Sequence, residues 1–287
     1  MQLTPWSSSA PSEAAGRFLA LVVGGPAEVP VTDPGFGAAL DELGNTVDPG
    51  NDADTDTNDA DTDTMELAAR AYWARSAALS NSAADTDECL RCYVRALVLF
   101  REIAIDRPGD VPPPVMQGLR SNDLWFSPEW WHALDASAAQ LMQQQGKDPW
   151  LVSLAIALTR EAIRLEPVPD DSSPDSSEFE RRVWTHMLNL ATMYCQRALL
   201  TKSGTDADQA VDLSRQCVGH EPVLSDRSQL EFNLSCAHRA RFLAAGQQAD
   251  RDEWIKYAQA AVDHVAWDDP RRAARLSNLR EARGDQS

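Results

Sequence analysis

Residues 188–217 read LNLATMYCQRALLTKSGTDADQAVDLSRQC, and this stretch decides the fold. Its second half carries Ala210-Val211-x-Leu213-x-Arg215-x-Cys217, a spacing that places the apolar residues on one face of an α-helix. The same frame recurs as Ala96-Leu97-x-Leu99-x-Arg101-x-Ile103 and Ala155-Ile156-x-Leu158-x-Arg160-x-Ala162, with a looser copy beginning at Trp254. Pro108, Pro167 and Pro222 follow the first three copies at one constant offset, and a helix stops before such a proline. The first half carries Leu188-Asn189-Leu190, repeated as Phe232-Asn233-Leu234 and Ser277-Asn278-Leu279. Asn189 precedes Ala210, and Asn233 precedes Trp254, by 21 residues, while the three asparagines are 44 and 45 residues apart. Lys202-Ser203-Gly204-Thr205-Asp206 and Ala245-Gly246-Gln247 read as turns between the two halves of a unit. Motifs kept in register with their partner helices mark a helical repeat.

Working outward, two looser units precede these, with helices at 65–80 and 85–106 and then at 128–145 and 148–166. Ser127-Pro128-Glu129 has the form of a helix start, with Ser as cap and Pro in the first turn. Pro270 to Arg283 supplies a first helix without a second, as a terminal cap does. The expected fold class is all-α: a right-handed solenoid of about four helix-turn-helix units plus a C-terminal capping helix. That repeat domain covers 65–287. Residues 1–47 form a partly ordered N-terminal segment, where Ala38 to Leu43 supplies a helical turn or two. Between them, NDADTDT occurs twice in tandem at 51–57 and 58–64, and the acidic stretch 48–64 reads as a disordered linker.

The chain has 287 residues and a formal charge of −18, which disfavours nucleic acid and anionic membrane surfaces and favours a basic partner segment. No signal peptide is read, and the longest apolar run, Phe18 to Val23, falls far short of the ~20 residues that span a bilayer. Five scattered cysteines fit a reducing compartment, so the expected location is cytoplasmic. Three lysines against 23 arginines, with 42 alanines, resemble the bias of a high-GC bacterial genome.

These units resemble tetratricopeptide repeats, in the longer variety seen in kinesin light chains and in bacterial and fungal proteins with caspase-like (CHAT) domains. Leu188-Asn189-Leu190-Ala191-Thr192-Met193-Tyr194 is similar to that family's first helix, Leu-Asn-Asn-Leu-Ala-x-Leu-Tyr, and Asp268-Asp269-Pro270-Arg271-Arg272-Ala273 to its connector. The first of the family's two asparagines is replaced by Leu188, Phe232 and Ser277. The resemblance implies a concave groove lined by first helices, where side-chain amides grip a peptide backbone by donating and accepting at once. It nominates Asn189, Asn233 and Asn278 as partner-binding residues, with His186, Arg197 and Arg239 on the same helices. The implied function is a non-catalytic adaptor, scaffold or regulatory partner that binds a peptide or partner domain. A variant of that reading has the Phe18–Val23 stretch occupying the chain's own groove. Homo-oligomerisation through the outer helices is a further option.

The alternative reading is a helical enzyme or small-molecule-binding protein that uses Trp125, Trp130 and Trp131 as a pocket. Nucleophile elbow, zinc-protease and phosphate-loop motifs are missing, and the five histidines do not pair at ligand spacing. Cys89-x-x-Cys92 has no second pair to complete a zinc site, and is read as a helix packing face. The Asp52-x-Asp54-x-Asp56 and Asp59-x-Asp61-x-Asp63 runs have Thr where a calcium loop needs Gly. No cofactor, metal site or catalytic residue is assigned.

Overall fold

A computed structural model describes residues 34–47, 59–80, 85–120, 123–126, 130–166, 176–220, 224 and 226–284. Among these, every regular element is helical. The chain divides into two compact units, residues 1–133 and 134–287, where the sequence reading had one repeat domain over 65–287.

In the first unit, α1 (Pro34–Thr46), α2 (Asp59–Ser80) and α3 (Thr86–Asp106) form the core, followed by a short 3-10 turn and α4 (Pro113–Arg120). Asp85 caps α3 by accepting from the backbone N–H groups of Asp87 and Glu88 at 3.0 and 3.3 Å. Helices α2 and α3 run antiparallel. Arg75 near the end of α2 pairs with Glu88 at the start of α3 at 3.0 Å, while Arg107 after α3 reaches back to Asp63 at 3.2 Å.

Two sequence expectations are corrected here. The acidic linker read over 48–64 ends early, because Asp59–Thr64 belongs to α2; residues 48–58 lie outside the described residues. Arg107, just past the end of α3, draws Asp63 into an ion pair and so holds this end of α2 against its neighbour. The turn or two expected at Ala38–Leu43 is a full helix with a core of its own: Phe36, Leu40 and Leu43 are buried. Two glycines let α1 approach closely. A Cβ on Gly37 would lie 2.7 Å from the Arg75 guanidinium, and one on Gly44 would lie 2.5 Å from the Tyr72 hydroxyl. On α3, Arg91 pairs with Asp41 at 2.7 Å and Arg95 donates to the Gly44 carbonyl at 3.2 Å. The Tyr72 hydroxyl on α2 donates to Asp41 at 3.0 Å, so α1 is tied to both of its neighbours.

The second unit opens within α5 (His132–Gln145) and continues through α6 (Pro149–Leu165), α7 (Ser176–Thr201), α8 (Gly204–Gly219), α9 (Arg227–Ala245), α10 (Gln248–Asp263) and α11 (Arg272–Arg283). The turns read at 202–206 and 245–247 supply two of the helix ends, Ser203 and Gly246, and Asp148 and Asp226 supply two more. Asp148, Ser203 and Asp226 accept from the first-turn N–H groups of α6, α8 and α9, and Gly246 closes α9 with φ 70°. The start expected at Ser127-Pro128-Glu129 lies outside the described residues, and α5 begins at His132.

From α6 onward each helix packs on its sequence neighbours. Helix α7 lies on α6 and α8, α9 lies on α7 and α8, and α11 lies on α10 and α9. The repeated motif supplies the contact faces: Ala155, Ala162, Ala210, Cys217, Trp254 and Ala261 are all buried. Small residues at most of these places let helix backbones approach, which is why the frame tolerates Cys in place of Ala. Among the described residues no helix is long and apolar enough to cross a membrane.

Gly44→Ala is expected to cost about 1–3 kcal/mol, because Tyr72 cannot move without losing Asp41. Gly118→Ala, on an open face of α4, is expected to be neutral or stabilising by up to about 1 kcal/mol. Urea unfolding of the two variants checks the pair.

Candidate functional site

The first helices of the second unit carry a row of polar side chains, and most of that row is bonded to itself. Asn233 on α9 donates through Nδ2 to Thr192 Oγ1 on α7 at 3.3 Å and accepts from Gln229 Nε2 at 2.7 Å. Gln229 in turn accepts from Arg275 on α11 at 3.2 Å. Asn278, buried on α11, donates to Ser235 Oγ on α9 at 2.7 Å and accepts from the Trp254 indole N–H at 3.0 Å. Both asparagines thus donate to a hydroxyl on the preceding first helix. Their amides hold successive helices in register, and a ligand would have to displace those bonds. Asn189 holds the corresponding place on α7. It is half-buried and has no hydrogen-bond partner among the described residues.

The nominated basic residues are also engaged. Arg197 is buried and forms a bidentate pair with Asp206 at 2.9 and 2.6 Å, donates to Ser153 at 2.8 Å and lies 5.4 Å from the Tyr194 ring. It therefore joins α6, α7 and α8 rather than facing a groove. Arg239 pairs with Glu281 on α11 at 2.6 Å, with its guanidinium 5.8 Å from the Trp254 ring. Arg275, which the sequence reading passed over, is only 2% exposed and stands over Phe232 at 5.5 Å. Burial, with Arg271 nearby, lowers its pKa.

His186 is buried between two carboxylates: Nδ1 lies 3.2 Å from Asp135 on α5, and Nε2 lies 3.6 Å from Glu166, which follows α6. The second distance is that of an ion pair rather than a hydrogen bond. Burial alone would lower the His186 pKa, but the pairing with Asp135 and Glu166 outweighs it and holds the imidazole at about 9. Burial likewise opposes charge on Glu166, and His186 and Arg182 overcome it, keeping its pKa below the usual value. His238 is the opposite case. Fully buried and stacked on Tyr257, it makes a long 3.4 Å contact with Asp250, and burial pushes its pKa down.

The tryptophan pocket is not formed as expected. Trp125 and Trp130 are buried and stacked on each other at 6.3 Å, with the Arg101 guanidinium 4.7 Å from Trp130 and its Nε donating to the Trp125 carbonyl at 2.8 Å. Trp131, half-buried, is tilted against His132 at 5.6 Å. These rings fill space because aromatic area stabilises most when packed. An open surface depression of about 700 Å³ lies instead beside α4, lined by buried Val111 and Met116 and exposed Gln117 and Arg120. Cys89 and Cys92 are free, and burial pushes Cys92 up to about 12, far from a reactive thiolate. Among the described residues no group of three or more His, Cys, Asp or Glu is placed to hold a metal ion. Compared with known protein families, curated proteins and solved structures, the chain matches none.

Gln229 and Asn233 were legible as partners, since they sit four residues apart on one helix face. Asp135 and Glu166 were not, because nothing local ties them to His186.

Truncating Arg197 to Ala is expected to cost about 3–5 kcal/mol, since it leaves Asp206 buried and unpaired. Arg239→Ala, which breaks a half-exposed pair, is expected to cost less than about 1 kcal/mol in the same denaturant experiment.

The two histidines give stability a maximum near neutral pH. His186, raised to about 9 from 6.5, contributes fully below pH 6.5, and its share is lost as pH climbs through 9. His238, lowered from 6.5, contributes above that value, and its share is lost as pH falls below it. Thermal unfolding against pH is expected to lose its decline between pH 6.5 and about 9 in His186→Gln and to keep its acidic slope.

Proposed function

We propose that the chain is a tetratricopeptide-like repeat protein whose helix pairs stack as a right-handed solenoid capped by α11. In this reading it acts as a non-catalytic adaptor or scaffold for a protein or peptide partner. The motif spacing and the chain-order packing of α7 to α11 support it. The observation that carries the site is the contrast among three equivalent asparagines. Asn233 and Asn278 spend their amides on neighbouring hydroxyls, whereas Asn189 on the same row has no hydrogen-bond partner among the described residues. A peptide group offers a complementary acceptor and donor. The net charge of −18 makes a basic segment the favoured partner.

The test is affinity co-purification from the source organism with wild type, Asn189→Ala and Arg239→Ala. A partner held by wild type and Arg239→Ala but lost by Asn189→Ala, at unchanged helicity, is the expected outcome. Equal retention by Asn189→Ala rejects the site.

A second reading, small-molecule binding, has one observation in its favour. The open depression beside α4 brings apolar Val111 and Met116 together with Arg120, whose charge suits an anionic group.

A further inference from the structure

The loop between α10 and α11 carries Trp267 with 85% of its surface exposed, whereas Trp254 on the preceding helix is 3% exposed. Burying a side chain of this kind stabilises a fold by roughly 1.5–3 kcal/mol, so a ring left outside is a cost to the isolated chain. The backbone keeps it there. The Asp269 N–H donates to the Ala266 carbonyl at 3.2 Å, closing a turn with Trp267 at its second position, and the Arg272 N–H donates to Asp269 at 3.0 Å. Arg272 Nη1 donates to the carbonyls of Val262 and Val265, both at 3.1 Å, which locks the loop onto the end of α10. The same guanidinium lies 4.9 Å from the indole centroid. One face of the ring is therefore supported from within, and the other is held out to solvent on a rigid turn.

The charge around the ring is uneven. Asp269 and Arg271 neutralise each other at 2.7 Å, and Arg271 also binds Asp226 at 2.6 Å. Asp268 is exposed and has no hydrogen-bond or ion-pair partner among the described residues. Asp263, also exposed, accepts a neutral amide from Gln259 at 2.7 Å. Asp268, next in sequence to the indole, and Asp263, at the end of α10, thus have no cation partner among the described residues. The one guanidinium on the ring, Arg272, is held by backbone carbonyls on its inner side.

We propose that this loop docks a basic peptide segment of a partner protein. An aliphatic or proline side chain of the segment lies on the open face of Trp267, and Lys or Arg residues beside it pair with Asp268 and Asp263. A cation does not take the open face, because Arg272 already draws on the ring's negative quadrupole from the other side. Preorganisation favours binding, since neither the turn nor the ring must be ordered when the segment arrives. The surface belongs to the connector before the cap, away from Asn189, and does not depend on the groove reading.

The experiment uses the full chain and a synthetic peptide of alternating lysine and leucine. Controls replace its lysines by glutamate or its leucines by serine. Two-dimensional NMR of the nine indole N–H signals, with Trp267→Phe to identify the Trp267 signal, reports the contact. Expected is a shift of the Trp267 signal with the lysine–leucine peptide and with neither control. Trp267→Ala is expected to weaken that peptide roughly thirtyfold, as loss of an aromatic anchor does. Asp268→Asn weakens it most at low salt, and Trp150→Ala, which removes another exposed ring, leaves it unchanged. The proposal is overturned if the peptide does not bind, if the glutamate peptide binds equally, or if Trp267→Ala keeps full affinity. A Trp267 shift on raising protein concentration alone also overturns it, because a second copy would then be the occupant.

Discussion

A buried guanidinium ties the second unit together. Arg197 stands where α6, α7 and α8 meet, donating through Nε and Nη2 along one edge to Asp206 and through Nη1 to Ser153, with Tyr194 alongside. Taking a full charge out of water is costly, and only a geometry that satisfies most of its donors recovers the loss. That requirement fixes how α6, α7 and α8 meet at this point, alongside the close packing of their apolar faces. Once the α7–α8 pair is placed, α9 has one surface to pack on, and α10 and α11 follow in chain order.

The polar row of the first helices extends the same logic. Amide-to-hydroxyl bonds from Asn233 to Thr192 and from Asn278 to Ser235 repeat across two helix junctions, and Gln229 carries the chain of bonds on to Arg275. Groups used in this way set register; among the described residues the Asn189 amide makes no such bond, and the indole of Trp267 stays displayed in the loop between α10 and α11.

Particular residues show how far the sequence could be read. Helices of the second unit fell within a few residues of expectation, because capping side chains and glycines mark their ends locally. The first unit was harder. Helix α1 lacks a motif copy, and its place depends on Gly37 and Gly44 meeting Arg75 and Tyr72, some thirty residues on. The acids of 59–64 looked like solvated spacer because composition registers their mutual repulsion but not Arg107, which comes 44 residues after Asp63. The tryptophans near 125 invited a pocket because density of aromatic residues is visible in sequence, while the Arg101 guanidinium that stacks on Trp130 is not.

By itself the sequence determined that the chain is helical, where most helices stop, and which faces are apolar, since period, caps and prolines act over one or two turns. Only the tertiary structure decided which polar side chains are spent and which remain available. That choice turns on partners brought together from distant positions, as Asp135 and His186 are across 51 residues, and on how burial shifts each charge. Asn189, Asn233 and Asn278 are alike in sequence and differ in the fold for that reason alone.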